Sequence, residues 1–206
     1  MGIASLPLEI QLILVPTILF ALTFHEYAHA RVAYLLGDYT SYYQNRMNLN
    51  PFNHLDPFGT FALYFLGFGW AKPVPVLMQN LKNPRSDMMM IAMAGPASNM
   101  FLACIASIIY RLNFYFQLSG EVIFPLEIFI QINIVLAVFN LLPINPLDGS
   151  RILPLLIKNS RTLYNIEVYG PRILIGLIIL NLIGIPILST IILTPVSIIF
   201  YLLTGA

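Results

Sequence analysis

Several stretches of this chain are long, apolar and nearly free of charge, and that feature narrows the possible folds most. A helix that crosses a bilayer needs about 20 mostly apolar residues. Stretches of that kind run from Leu6 to Leu36, Met88 to Tyr110 and Val122 to Leu142, with two more at Ile173–Leu188 and Ser189–Leu203. The last two read as a helical hairpin turning near Pro186. Only 9% of the 206 residues are charged, against roughly 25% in a typical soluble protein. Too few charges remain to cover a soluble globule, so a soluble enzyme, a disordered segment and a coiled coil are excluded. A net charge of +1 without a basic cluster gives no footprint for nucleic acid. The single cysteine, Cys104, offers neither an intrachain disulfide nor a cysteine-rich metal site. The expected class is an all-α polytopic protein of the cell membrane, with the lipid bilayer as its surroundings and residues 1–206 as one integral-membrane domain.

A further apolar stretch, Phe58–Trp70, is short and holds three glycines. Charge bias decides how to read it, because cytoplasmic loops collect Lys and Arg. If the stretch returns to the side it left, nine of the ten basic residues share one face and only Arg111 lies opposite. If it spans, Arg31, Arg46 and Arg111 oppose the other seven, with no coherent preference. The expectation is therefore about five spanning helices plus a re-entrant, partly strand-like element. The strand-like part is Trp70–Val76, where Pro73 and Pro75 would confine it to an edge. Irregular backbone at membrane depth must be buried in protein or line a watery cavity, so this element is expected to border a site.

His25-Glu26-Tyr27-Ala28-His29 lies inside the first apolar stretch. Histidines at i and i+4 stand one turn apart on one helix face, where both imidazoles can reach one metal ion. Glu26 projects about 100° away around the helix, beside such a metal rather than on it, where it can take a proton from water. Read blandly, these residues are a satisfied polar cluster, but a glutamate near the bilayer centre costs several kcal/mol uncompensated. Two histidines leave a catalytic zinc one protein ligand short, and a carboxylate is the natural third. Asp148 follows an apolar helix in Asn140-Leu-Leu-Pro-Ile-Asn-Pro-Leu-Asp148-Gly149, where two prolines break the helix and a glycine permits a tight bend. Asp148 either caps the next short helix or is carried back to the histidines, and the His pair favours the second reading.

Together the two motifs resemble the site-2 protease family of intramembrane zinc metallopeptidases. Gly95-Pro96-Ala97-Ser98-Asn99, on the helix between them, is similar to that family's glycine/asparagine motif, and Phe139-Asn140-Leu-Leu-Pro143 leads into the aspartate as the family's does. The likeness spans nearly the whole chain and is to the small branch without a PDZ-like insert. It implies three core helices around a Zn2+ ion, with His25, His29 and Asp148 as ligands and Glu26 as general base. The implied reaction is hydrolysis of a peptide bond in or near a membrane-spanning segment of a substrate protein. Asn140 would orient substrate or stabilise the oxyanion, and Trp70–Val76 would hold the unwound substrate by strand addition. His54, in Asn50-Pro-Phe-Asn-His54-Leu-Asp56-Pro57, is either part of a turn or a group near the zinc, and Asp56 shares the choice. Lys72 and Arg46 read as interfacial charges, and Met88, Met89, Met90 and Met93 as a packing surface. Rival readings are a divalent metal transporter, which has no need of Glu26, and a catalytically inactive homologue that binds membrane proteins.

Overall fold

A computed structural model describes residues 2–205. Its α-helices are α1 (Leu8–Leu35), α2 (Thr40–Tyr43), α3 (Pro57–Leu66), α4 (Pro84–Phe116), α5 (Gly120–Asn140), α6 (Leu153–Leu156), α7 (Ser160–Leu182) and α8 (Ile187–Thr204). Five of these, α1, α4, α5, α7 and α8, are long and apolar enough to cross a membrane. The 28 residues of α1 rise about 42 Å at 1.5 Å each, more than a hydrocarbon core of about 30 Å requires. The chain is a multi-pass integral membrane protein.

The distribution of side chains is that of a protein solvated by lipid. Large apolar residues point outward from the bundle, among them Leu12, Phe101, Ile108, Tyr201 and Leu202. The interior collects small residues instead: Ala21, Ala30 and Ala33 on α1, Ala103 and Ala106 on α4, and Ala137 on α5. Lipid tails are as apolar as leucine, so helices associate through close backbone approach and interhelical hydrogen bonds rather than by hiding large side chains. Helix α4 lies between α1 and α5 and packs most extensively against both. Ala103 and Ala106 join Ile130, Ile134 and Val196 in the main cluster of α4, α5 and α8.

The re-entrant, partly strand-like element expected from Phe58–Trp70 and Trp70–Val76 is not what forms. No β-strand forms among the described residues. Helix α3 takes up most of the Phe58–Trp70 stretch: the Asp56 carboxylate caps it by accepting from Gly59 N at 2.8 Å, Pro57 opens it, and Gly67 closes it at φ +78°. From Gly69 to Leu77 the chain is extended but makes a single antiparallel bridge, Leu55 with Ala71. Pro73 and Pro75 lack the N–H groups that a ladder needs. Several of its polar groups are already used: Lys72 N donates to His54 O, Arg46 binds the carbonyls of Lys72 and Pro73, and Ser41 binds that of Pro75. The segment is a strap tied down by loops, and the strand edge expected for substrate addition is absent.

Candidate metal centre

Helix α1 carries His25 and His29 one turn apart, with ring centroids 4.6 Å apart and the planes nearly perpendicular. Both residues are buried. His25 Nδ1 lies 2.6 Å from Asn99 Oδ1, and His29 Nδ1 lies 2.7 Å from Ile91 O. Both partners are acceptors, so each Nδ1 carries the ring hydrogen and each Nε2 presents a lone pair. The two Nε2 atoms converge on Asp148 Oδ2, at 3.1 and 3.3 Å.

Asp148 reaches this point because α5 stops. After Asn140 the chain turns through short local bonds, Ile144 N to Leu142 O and Leu147 N to Ile144 O, and Asp148 opens a short 3-10 helix. Ser150 locks that turn, donating from both N and Oγ to Leu147 O. Gly149 is required here, because a Cβ would lie 2.2 Å from Leu141 O.

One donor atom from each of His25, His29 and Asp148 lies within 4.8 Å of the others. Two imidazole lone pairs and a carboxylate oxygen aimed at one point make an acceptor-only cluster that a cation satisfies. The His2Asp set is that of a catalytic zinc, which takes three protein ligands and keeps a position open. The second observation is Gly95 on α4: a Cβ there would lie 2.4 Å from both Nε2 atoms. The helix backbone is brought against the cluster and leaves room for an ion only because this residue has no side chain. The donor set and the cradle fit zinc.

Glu26 is buried beside the pair, and its Oε2 accepts from Val74 N at 3.1 Å. That amide belongs to the strap. Arg46 holds the strap from outside, donating from Nη2 to Lys72 O at 2.7 Å and to Pro73 O at 3.4 Å. Ser41 Oγ donates to Pro75 O at 2.6 Å, and Asp38 accepts from Leu77 N at 2.7 Å. Asp38 is fully buried and also accepts from Thr40 and Asn80. Burial alone would raise its pKa, but the bonds from Thr40, Asn80 and Leu77 outweigh it and hold the carboxyl below its ordinary range. Arg46 was expected to be an interfacial charge; it is buried, and its partners are carbonyls.

A cavity of about 620 Å³ opens onto these groups. His25, Glu26, His29, Asn140, Asp148 and Arg151 line it, with Phe68, Trp70, Val74, Leu136 and Phe139 as apolar walls. Asn140 Nδ2 donates back to Leu136 O at 2.9 Å. His54 is not part of this lining; it is buried among the loops, with Nε2 on Asn48 O at 2.9 Å. Asp56 is a helix cap. Sequence reasoning missed Arg46, Val74 and Asn133. The only signal for Asn133 was an amide within a largely apolar span, which Gln131 two residues earlier also offers.

Residues 116–183 match the family model described as Peptidase family M50. The chain is 44% identical over 153 residues to a protein of Bacillus subtilis (strain 168) described as "Putative zinc metalloprotease YwhC", a stretch covering 71% of this chain and 70% of that protein. No solved structure is significantly similar to the chain.

Proposed function

The chain belongs to peptidase family M50, the site-2 protease family of intramembrane zinc metallopeptidases, and from that membership we propose how its own residues carry the reaction. The protein is an intramembrane zinc metalloprotease, zinc is its cofactor, and its substrate is a membrane protein or peptide in the bilayer. The proposal assigns His25, His29 and Asp148 as the residues that hold the zinc, Glu26 as the general base, and residues 1–206 as one metallopeptidase domain. The observation that carries it is the convergence of two Nε2 atoms and Asp148 Oδ2 beside Glu26 on one cavity.

Zinc supplies Lewis acidity when bound, lowering the pKa of water towards about 7 and polarising a carbonyl. The Val74 amide on Oε2 leaves Oε1 of Glu26 as the atom that takes the proton of the attacking water and returns it to the leaving amine. Asn140 lines the same cavity and orients the scissile peptide through its amide. Peptide bonds inside a helix are bonded to their own neighbours, so the substrate unwinds locally before it is cut. The apolar walls Leu136, Phe139 and Phe68 receive the unwound stretch.

Glu26→Gln tests the assignment. The amide keeps the size and one acceptor oxygen but cannot take the proton. The variant is expected to retain stoichiometric zinc and to cleave a membrane peptide at least about 100-fold more slowly, the lower range for a lost general base. Equal cleavage by variant and wild type would reject Glu26 as the base. Wild-type protein that cleaves nothing while the substitution alters ion flux would favour metal transport.

A further inference from the structure

His25 and His29 are oriented by unlike means. His29 Nδ1 donates to the backbone oxygen of Ile91 at 2.7 Å, a group that can only accept. His25 Nδ1 meets a side-chain amide, Asn99, at 2.6 Å. An amide has a donor end and an acceptor end. Turned over, Asn99 would point its NH2 at Nδ1, select the other tautomer and place a hydrogen on Nε2, where the lone pair must be. Something has to fix which way Asn99 faces.

We infer that Asn133, on α5, is the positioning residue that fixes it. Asn133 Nδ2 donates to Phe129 O at 2.9 Å, one turn back on its own helix. That carbonyl only accepts, so the NH2 end of Asn133 faces it and Oδ1 faces away. Oδ1 then accepts from Asn99 Nδ2 at 3.0 Å, while the second hydrogen of that NH2 group goes to Ala21 O at 3.2 Å. Both hydrogens of Asn99 are engaged, so its Oδ1 faces His25. The direction of each bond is set by the one before it, from Phe129 O through Asn133 and Asn99 to Nδ1 of His25. Asn99, Asn133, Ile130 and Ile134 are all fully buried, so no water competes for these groups.

The relay ties three helices to one tautomer: His25 on α1, Asn99 on α4, Asn133 on α5. It is made of neutral groups, which suits a site among apolar spans, where a charged partner would be costly. Helix α5 also leads into Asp148, so the element that supplies the carboxylate steers one of the histidines as well. Removing Asn133 leaves one hydrogen of Asn99 unpaired and only the 3.2 Å bond to Ala21 O to oppose a flip.

The proposal rests on His25 holding zinc, and the experiment separates the two. Zinc affinity of the full-length protein in detergent is measured by competition with a chelator, alongside the melting of the metal-free protein. Asn133→Leu is expected to weaken zinc binding about 10-fold, the lower range for a residue supporting a metal-ligating histidine. Asn133→Ala carries the same expectation if leucine overpacks the site. The discriminating background is Asn99→Asp. A carboxylate accepts from Nδ1 whichever way round it lies, so it needs no steering, and adding Asn133→Leu or Asn133→Ala to it is expected to cost no affinity. A purely structural Asn133 would cost the same in both backgrounds, and that result, or undiminished affinity in the single variants, would overturn the relay. Zinc retained by His25→Ala would remove the ligand assignment, and the relay with it.

Discussion

Neighbouring residues on α1, His25 and Glu26, are supported from opposite directions by different kinds of structure. His25 is held from inside the bundle by buried side-chain amides on two other helices. Glu26 is held from the loop side by a backbone amide on a strap, and the strap by Arg46, Ser41 and Asp38. Helix geometry accounts for the divergence, since consecutive side chains point about 100° apart. The materials differ because the surroundings do. Among the spans a charge is expensive, and Asn99 and Asn133 are neutral. Near the mouth, the Arg46 guanidinium is buried with its Nη2 on two carbonyls, and the Asp38 carboxylate is buried among four donors. On the proposed assignment, the inner flank supports the metal-holding residues and the outer flank positions Glu26.

Gly95→Ala should produce the largest effect, and on the inner flank alone. Its Cβ would stand 2.4 Å from both Nε2 atoms, well inside contact distance, and its neighbours on one side are the backbone of α4. Zinc affinity is expected to fall at least about 100-fold, beyond what a lost supporting group costs, with the helices intact by circular dichroism. Stoichiometric, tightly held zinc in this variant would show that α4 can back away and that the cradle is not tight.

Arg46→Met should break the outer flank and spare the inner one. Without the guanidinium, the Lys72 and Pro73 carbonyls lose their donor and Val74 N is no longer held against Glu26. A fall of about 10-fold in single-turnover cleavage is expected, since loosened positioning of a reacting group costs on the order of 10 to 100-fold. Zinc content should stay stoichiometric. Loss of zinc together with activity would merge the two flanks and refute the comparison.

The inner flank was the more legible of the two from the amino-acid sequence. Its ligands share an i, i+4 spacing that only a helix can use, and its helices announce themselves by some twenty apolar residues each. Asp148 could be reached by reasoning because prolines and a glycine mark where α5 must end. Asn133 was hidden: its partner Asn99 is on another helix, and only the packing of α4 on α5 brings them together. The outer flank was misread. Alternation in Trp70–Val76 suggested a strand, but alternation reports extended backbone and not a partner, and the two prolines that argued for an edge in fact prevent a ladder. Arg46 looked like a surface charge because nothing local marks a guanidinium that will be buried by carbonyls of a segment 26 residues away.

The last effect expected concerns acid, and it too should fall on one flank. The relay behind His25 contains no ionisable group, whereas the strap is pinned by Asp38. That carboxyl titrates below its ordinary range in the folded protein, burial being outweighed by the bonds from Thr40, Asn80 and Leu77. A folded-state pKa below the unfolded value of about 3.9 means that the unfolded chain takes up the proton first. Asp38 therefore stabilises the fold above that value, and its contribution is lost as pH falls through the folded pKa. Asp38→Asn replaces one of the two acceptor oxygens by an NH2 group, which faces at least Leu77 N, so at pH 6 it should destabilise the metal-free protein by about 1–3 kcal/mol, the cost of a buried donor left unsatisfied. The gap in stability between wild type and variant should narrow as the pH is lowered from 6 towards 3. Measuring in the presence of chelator removes any contribution from bound metal, and what the two proteins share cancels in the difference. A gap that stays constant or widens on acidification would mean that Asp38 does not bind as a carboxylate, and that the strap is held by Arg46 and Ser41 alone.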